Sequence, residues 1–307
     1  MELNFRTDIK NWLDNLEKLQ PQTTGFCPNL RPNSNENITI KAIIFDIYGT
    51  LLISSSGDIE EASATVENMD KALQAGGYHI EKNAKEISAF LLKQLPEKIK
   101  SNQQEIKQKG HPFPDVDIFK VWREMLQEAQ NAGLISPTGN ESLTDTIFIF
   151  ELLSNKVFPM PGMKEVLTKL SKKGIPLGIV SNAQFYTPIL MNYFLSGSFS
   201  TKQEVELFNP DLSFFSYKEL RGKPDVSLFQ KFIPTLKNKY NINPAETIFV
   251  GNDMLNDVYT AKKAGLKTVL FAGDERSLRL RENDARVKGI FPDFIITDLT
   301  QLLDITE

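Results

Sequence analysis

Short, almost continuously apolar segments alternate with amphipathic segments over the second half of the chain. The apolar segments are "IPLGIVSN" (175–182), "TIFVGND" (247–253), "LKTVLFAG" (266–273) and "DFIITDL" (293–299), and "DVSLFQKFIPTLKNKY" (225–240) is one of the helical segments between them. Strands that are buried on both faces have such unbroken apolar runs. The alternation therefore predicts an α/β fold in which helices cover both faces of a parallel sheet. In such sheets, ligands bind beyond the carboxyl ends of the strands.

Polar residues stand at the ends of three of the predicted strands. In "KAIIFDIYGTLL" (41–52), an apolar strand runs into Asp46. Two later strands end at Ser181 and Asn182 and at Asn252 and Asp253. Because the carboxyl ends of parallel neighbours meet at one edge of a sheet, we expect these side chains to lie together.

The residue types at these strand ends fit the transfer of a charged group. Asp46 can attack an electrophile and form a covalent ester or acyl phosphate. Lys223, in "RGKPD", and a divalent cation can offset the charge of a phosphoryl group, while hydroxyl and amide groups donate hydrogen bonds to it. Asp257 follows Asp253 by one helical turn. Each feature alone is common in turns and helix caps, and it is their order along the chain that indicates a site.

Composition narrows the possible partners. The chain has 307 residues and a net charge of −4, without the basic excess that a nucleic-acid partner requires. Its apolar runs are shorter than the roughly 18 residues that a membrane span needs, and the mixed-charge N-terminus has no apolar signal core. One cysteine, Cys27, is typical of a reducing compartment, so we expect a cytoplasmic protein. Two histidines cannot build a histidine-rich metal site, and a hard cation bound by oxygen is expected instead.

Two segments lie outside the alternating pattern. Residues 54–158 contain several amphipathic segments of helical spacing and little that resembles a strand, which predicts an all-helical module. Apolar residues over 5–19 also have helical spacing, and residues 1–37 are interpreted as an N-terminal helical extension of unassigned role.

Four motifs together resemble those of the haloacid dehalogenase superfamily of hydrolases. They are "DIYGTL", "VSN", "GKPD" and "GNDMLND", in that order along the chain. The resemblance implies a Rossmann-like, doubly wound core over 38–53 and 159–307, and it makes the module of 54–158 a cap that closes over the site. It also implies an aspartyl nucleophile at Asp46, contacts from Ser181 and Lys223 to the transferred group, and an acidic Mg²⁺ site in the fourth motif.

The candidate site follows from the motifs and from the chemistry above. The candidate catalytic residues are Asp46, Tyr48, Thr50, Ser181, Asn182, Lys223 and Asp257. The candidate Mg²⁺ ligands are Asp46, the Tyr48 backbone carbonyl, Asn252 and Asp253.

Tyr48 and Asn252 depart from the pattern of the superfamily's phosphatases. Those enzymes usually have a second aspartate where Tyr48 stands, and it protonates the leaving alcohol, a contribution of about 10² to 10⁴ in rate. Tyrosine is a poorer acid and a much poorer base. The second departure replaces the usual aspartate of the fourth motif by Asn252, with Asp253 one position later, so that either residue or both could bind the metal.

Three functions remain open, and a magnesium-dependent phosphatase acting on a small phosphorylated metabolite is preferred. A 2-haloacid dehalogenase is the alternative that Tyr48 favours, since the superfamily's dehalogenases have tyrosine there. Those enzymes also have an arginine in the cap, whereas no arginine stands between Arg31 and Arg123. The third possibility is a weak or vestigial enzyme that acts as a binding or regulatory module. The sequence does not determine an oligomeric state.

Overall fold

The strands and helices are taken from a computed structural model, which describes residues 3–30, 39–55 and 64–306. The strands are β1 (Ala42–Phe45), β2 (Leu52–Ser54), β3 (Tyr78–Ile80), β4 (Ile135–Pro137), β5 (Val157–Pro159), β6 (Leu177–Ser181), β7 (Ser213–Phe215), β8 (Thr247–Gly251), β9 (Lys267–Phe271) and β10 (Phe294–Ile296). The α-helices are α1 (Ile9–Asp14), α2 (Val66–Ala75), α3 (Ala84–Gln108), α4 (Ile118–Asn131), α5 (Leu143–Ser154), α6 (Met163–Lys172), α7 (Tyr186–Ser196), α8 (Ser216–Glu219), α9 (Val226–Tyr240), α10 (Thr260–Lys263) and α11 (Gln301–Asp304). A π-helical segment, Met254–Tyr259, leads into α10. No helix within these ranges is long and apolar enough to cross a membrane.

The core is a parallel sheet with the strand order β10-β9-β8-β1-β6-β7. Strand β1 is central, and its last residue, Phe45, pairs with Ile179 of β6 and Val250 of β8. Every residue of these three strands is buried. The predicted parallel sheet is therefore confirmed, and the polar ends of β1, β6 and β8 lie side by side at one edge.

Helices cover both faces of the sheet, as the apolar character of its strands requires. On one face, Leu167 and Leu170 of α6 belong to the same buried cluster as Ile43 and Phe45. On the other face, Phe229 and Phe232 of α9 pack with Ala42 and Ile44. Fully burying one such large side chain contributes about 1.5–3 kcal/mol. The doubly wound α/β fold predicted from the sequence is thus confirmed.

The segment inserted between β2 and β5 is mostly helical, and it also contains a small sheet. Helices α2 to α5 share a buried cluster that includes Trp122 and Phe148. Strands β3 and β4 pair antiparallel, so the description of this segment as all-helical is corrected. Each of the two strands has three residues, too few for an alternating pattern to be visible in the sequence.

The insert joins the core through a second antiparallel pair, β2 with β5, close to the predicted boundaries at 54 and 158. It also packs against the helix that follows β6, because the rings of Phe119 in α4 and Phe185 lie 4.2 Å apart between centroids. The Gln184 side chain accepts from the Ile118 backbone N–H and donates to the Val116 carbonyl. The insert is therefore held against the part of the core that carries the second motif, while its status as a separate cap domain stays a prediction.

The N-terminal segment lies across both the insert and the core. Within its described part, residues 3–30, only Ile9–Asp14 is α-helical, so the helix is shorter than the sequence predicted for 5–19. The Phe5 ring packs edge-on against Phe148 of α5, and the Thr24 hydroxyl donates to the Ala272 carbonyl, which directly follows β9. The rest of the predicted extension, 31–37 and its first two residues, lies outside the described residues.

Candidate active site

Asp46 directly follows the central strand and is buried, with 8% of its surface exposed. Its backbone N–H donates to the Val250 carbonyl at 2.9 Å, which extends the β1–β8 ladder by one residue. The chain then turns through Gly49, whose φ is +78°. A Cβ atom at Gly49 would lie 2.5 Å from the Asn252 side-chain nitrogen, so only glycine lets this turn approach the fourth motif so closely.

Lys223 forms buried ion pairs with two carboxylates. Its Nζ atom lies 2.8 Å from Asp46 Oδ1 and 2.5 Å from Asp257 Oδ1, and the lysine side chain is 3% exposed. Burial lowers the pKa of Lys223, but the charges of the two carboxylates outweigh it and raise the pKa overall. A buried cation requires such compensation, since one left unpaired costs several kcal/mol.

Asp257 and Asp46 share one lysine, so the three groups would have an excess negative charge if both carboxylates were ionised. Burial raises the pKa of Asp257 to about 7, with Lys223 opposing the rise and Asp46 adding to it. The second Asp257 oxygen accepts from the Asp253 backbone N–H at 2.9 Å. A Cβ atom at Gly251 would lie 2.3 Å from the Asp257 carboxyl carbon, so this glycine makes room for the carboxylate.

Asn182 holds the main chain on which Lys223 stands. Its Oδ1 atom accepts from the Lys223 backbone N–H at 2.7 Å, and its Nδ2 atom donates to the Lys223 carbonyl at 3.2 Å. The sequence predicted that this amide would donate to a bound group. The structure shows it engaged with the lysine loop, which fixes the position of the buried cation.

Ser181 places a buried hydroxyl group at the end of β6. The residue is 2% exposed, and its Oγ atom is buried without a hydrogen-bond partner among the described residues. Leaving a buried polar group unsatisfied costs about 1–3 kcal/mol. A ligand oxygen at the end of β6 would remove that cost.

Asn252 is oriented by two neighbours. Its Nδ2 atom donates to the Ser277 carbonyl, and because a carbonyl can only accept, the amide oxygen must face the other way. That oxygen accepts from the Thr50 hydroxyl at 3.1 Å, and Thr50 is completely buried. Thr50 therefore acts on the site through Asn252, and the Asn252 oxygen keeps one lone pair for a further partner.

Protein N–H groups already satisfy the hydrogen-bonding capacity of the Asp253 carboxylate. Its Oδ1 atom caps the following helix by accepting from the backbone N–H groups of Leu255 and Asn256, at 2.8 and 3.0 Å. Its Oδ2 atom accepts from the Asn256 side chain at 3.1 Å and from Nε and Nη2 of Arg281, at 3.0 and 2.7 Å. An ionised carboxylate has about four lone-pair sites, and five N–H groups compete for them here.

Tyr48 is held by the core helix α7. Its hydroxyl lies 2.9 Å from the Thr187 Oγ1 atom. Burial, and then the charge of Glu151, raise the pKa of the Tyr48 phenol far above its usual range. The side chain therefore stays protonated near neutral pH and cannot serve as a base.

Most of these residues line one cavity of about 110 Å³ that is partly open to solvent. The predicted residues that line the cavity are Asp46, Tyr48, Asn182, Lys223, Asn252, Asp253 and Asp257. Thr50 and Ser181 do not line it. The lining residues that the sequence analysis missed are Ser54, Asn155, Asn256, Arg279 and Arg281. The two arginines follow β9 in "GDERSLRLREND", and the polar residues after that strand were the available signal.

The comparisons with known proteins agree with this architecture. A family model of haloacid dehalogenase-like hydrolases matches residues 40–265. That match covers well over half of the chain, so the protein belongs to the haloacid dehalogenase-like hydrolases, and the resemblance predicted from its four motifs is confirmed.

Curated relatives share about half of their length with this chain. The glyceraldehyde 3-phosphate phosphatase of Pyrococcus furiosus is 28% identical over 148 residues, which are 48% of this chain and 54% of that protein. A haloacid dehalogenase-like hydrolase domain-containing protein of Arabidopsis thaliana is 28% identical over 154 residues, or 50% of this chain and 55% of that protein. Among solved structures, the 2-haloacid dehalogenase of Pseudomonas syringae has a TM-score of 0.52 at 18% identity, over 87% of this chain and 98% of that one, which shows a shared fold.

Proposed function

We propose that this hydrolase is a phosphatase that cleaves a small phosphomonoester through an aspartyl-phosphate intermediate on Asp46. The observation that carries the proposal is the buried Lys223, paired with Asp46 and Asp257 at the cavity that Asp46 lines. A positive charge fixed at the nucleophile offsets repulsion between an attacking carboxylate and an anionic phosphoryl group. The phosphatase name of the Pyrococcus furiosus relative supports the same substrate class.

The proposed reaction has two displacements at phosphorus. One Asp46 oxygen is paired with Lys223, so the other attacks, forming a P–O bond while the bond to the leaving oxygen breaks. The leaving alkoxide takes up a proton from solvent water. Water then attacks the phosphorus of the acyl phosphate, loses a proton, and restores the Asp46 carboxylate as inorganic phosphate leaves. In both steps, Ser181 Oγ is the candidate donor to the phosphoryl oxygens, because it lacks a partner among the described residues. It does not line the cavity, so its side chain must turn toward the bound phosphoryl group to donate.

Mg²⁺ is part of the proposal, with a smaller ligand set than the sequence suggested. Within the described residues, no group of three or more acidic, histidine or cysteine side chains could hold a metal. The oxygens that fit are the Asp46 carboxylate, the Tyr48 carbonyl and the Asn252 amide, whereas Asp253 is engaged with Arg281. Mg²⁺ usually binds through one or two carboxylates, waters and substrate phosphate oxygens, so these ligands suit an ion that binds together with substrate. When bound, the ion would neutralise phosphoryl charge.

Dehalogenation is the second candidate, and Tyr48 is the observation that favours it, because a departing halide needs no proton.

A cytoplasmic location is proposed with either activity, and the single cysteine supports it.

A single screen separates these possibilities. Wild type is incubated with a panel of phosphorylated metabolites and 2-haloacids, with and without Mg²⁺, and phosphate and halide release are measured. The proposal expects phosphate release that requires Mg²⁺ and is lost in Asp46→Asn. Asp284→Asn, at a surface pair with Arg286, is the control that should leave turnover unchanged. Chelator-resistant halide release would establish the dehalogenase instead, and no release of either product would favour a binding module.

A further inference from the structure

The charged side chains of the cavity pair with one another except for one arginine. Lys223 is paired with Asp46 and Asp257, and Arg281 is paired with Asp253. Arg279 also lines the cavity, and none of the acidic side chains in the described parts of the chain lies within ion-pair distance of it. Among the described residues, the cavity therefore presents one guanidinium whose charge is not balanced by a neighbouring carboxylate.

Arg279 is fixed in place by the main chain. Its backbone N–H donates to the Asn252 carbonyl at 3.0 Å, and its own carbonyl accepts from the Met254 N–H at 2.8 Å. One nitrogen of its side chain, Nη1, donates to the carbonyls of Arg276 and Leu278, at 2.6 and 3.2 Å. The main-chain bonds hold Arg279 against the fourth motif, and the side-chain bonds fix its guanidinium. They use one end of it, while a guanidinium has five N–H donors in all.

We propose that Arg279 binds a second anionic group of the substrate, a carboxylate on the part of the molecule that leaves. This inference rests on the proposed phosphatase function and names its substrate class, a small phosphomonoester that also bears a carboxylate. A planar guanidinium matches a carboxylate with two parallel hydrogen bonds. The phosphoryl group takes the position at Asp46 and Lys223, which line the same cavity as Arg279, so the two anions must be joined by a chain short enough to lie within that cavity.

The test compares two ligands of similar size that differ in one charge. 2-Phosphoglycolate carries a carboxylate, whereas 2-hydroxyethyl phosphate carries a hydroxyl group at the corresponding position. Their affinities are measured by calorimetry in full-length Asp46→Asn protein, which lacks the nucleophile, so binding is read without turnover. We expect the carboxylate ligand to bind more tightly, by about 10- to 100-fold, the range for a charge-assisted hydrogen bond.

Substitutions at Arg279 then test whether this residue causes the preference for the carboxylate ligand. Arg279→Gln should remove it by weakening phosphoglycolate about 10- to 100-fold while changing the affinity for the hydroxyethyl ester less than about twofold. Arg279→Lys keeps the charge and should retain part of the preference. The matched control, Arg286→Gln, removes an exposed arginine seven positions away that does not line the cavity, and it should change neither affinity.

Two outcomes would overturn the inference. Equal affinities for the two ligands in the Asp46→Asn protein would mean that the cavity does not recognise a carboxylate. Equal weakening of both ligands by Arg279→Gln would assign the residue a structural role in the loop. The turnover screen on protein with Asp46 intact is independent of these titrations. Failure to cleave any phosphomonoester would refute the phosphatase proposal, whereas the binding comparison would still decide what Arg279 recognises.

Discussion

Arg281 donates two hydrogen bonds to one oxygen of Asp253, through Nε at 3.0 Å and Nη2 at 2.7 Å. The residues are 28 positions apart, and the contact decides which part of the fourth motif is open to a ligand. Asp253 caps a helix and anchors Arg281, while its neighbour Asn252 keeps an oxygen lone pair at the cavity.

The first prediction therefore separates Asn252 from Asp253. Asn252→Ala should weaken Mg²⁺ binding, measured by calorimetric titration in the presence of inorganic phosphate, because an oxygen ligand is lost. Asp253→Ala should leave Mg²⁺ affinity nearly unchanged but lower the free energy of unfolding by about 1–2 kcal/mol through loss of the helix cap alone. Chemical denaturation gives that second value. Normal Mg²⁺ affinity in Asn252→Ala together with weak affinity in Asp253→Ala would reverse the assignment.

The second prediction concerns Tyr48, which replaces the usual acid. If no other group supplies the proton, alkyl phosphates should react much more slowly than aryl or acyl phosphates, whose leaving groups need little protonation. Tyr48→Asp should raise alkyl phosphate hydrolysis by up to about 10² to 10⁴, provided that the carboxyl group reaches the leaving oxygen.

Tyr48→Phe is the control for that experiment, because it removes only the hydroxyl that contacts Thr187. It should change the dependence of rate on leaving-group pKa very little, since the raised pKa of Tyr48 makes it a poor acid. Equal wild-type rates for alkyl and aryl phosphates, with chemistry rate-limiting, would contradict the prediction. Asp257, whose pKa is raised to about 7, would then be the acid to test.

The third prediction is a pH dependence of stability that originates at Asp257. Burial raises the pKa of Asp257 from 3.8 to about 7. Between these values the folded protein holds a proton that the unfolded chain has released, so this group's stabilising contribution is present below about pH 4 and is lost as pH rises to about 7. The slope approaches about 1.4 kcal/mol per pH unit.

Denaturant unfolding of metal-free protein from pH 4.5 to about 9 measures this effect. The difference in unfolding free energy between wild type and Asp257→Asn reports the titration of Asp257 separately from that of the other carboxylates. Wild type should lose stability relative to the variant as pH rises towards 7, and the difference should be constant above pH 8. A difference that does not change with pH would show that Asp257 is ionised throughout the range.

The fourth prediction links the N-terminal segment to the site. The buried Asp274 accepts from the Gln22 backbone N–H at 2.8 Å and from the Ser277 hydroxyl at 3.3 Å, and the Ser277 carbonyl orients Asn252. Asp274→Asn should lower the unfolding free energy by about 1–3 kcal/mol, because an amide presents N–H groups to some of these donors. It should also lower kcat at temperatures where the protein stays folded, since Asn252 loses its support.

Asp284→Asn again provides a control, because that carboxylate pairs with Arg286 and does not line the cavity. An Asp274→Asn protein that is less stable but has unchanged kcat would show that the N-terminal segment stabilises the fold without positioning the site.

The sequence by itself determined the layered architecture. Strands β1, β6 and β8 are buried on both faces, so each must be an unbroken apolar run. Such a run can be recognised in the sequence without knowing which strands pair with it. The polar residues after those runs predicted where Asp46, Ser181 and Asn252 would meet, because the ends of parallel neighbours must share an edge. The short strands β3 and β4 were not predicted, because each has three residues and shows no periodicity.

Only the tertiary structure decided how each site residue is used. Nothing near Asp253 in sequence indicates that Arg281 would fill its carboxylate, and nothing near Asn252 indicates that Ser277 would orient its amide. Arg279 lines the cavity because the loop after β9 folds back onto the fourth motif, and the sequence around Arg279 does not indicate this. Whether a strand is buried can be inferred from its own sequence, because its side chains are then apolar. The partner of a polar side chain depends on which distant loops the packed sheet brings within hydrogen-bond distance, and that is a property of the whole fold.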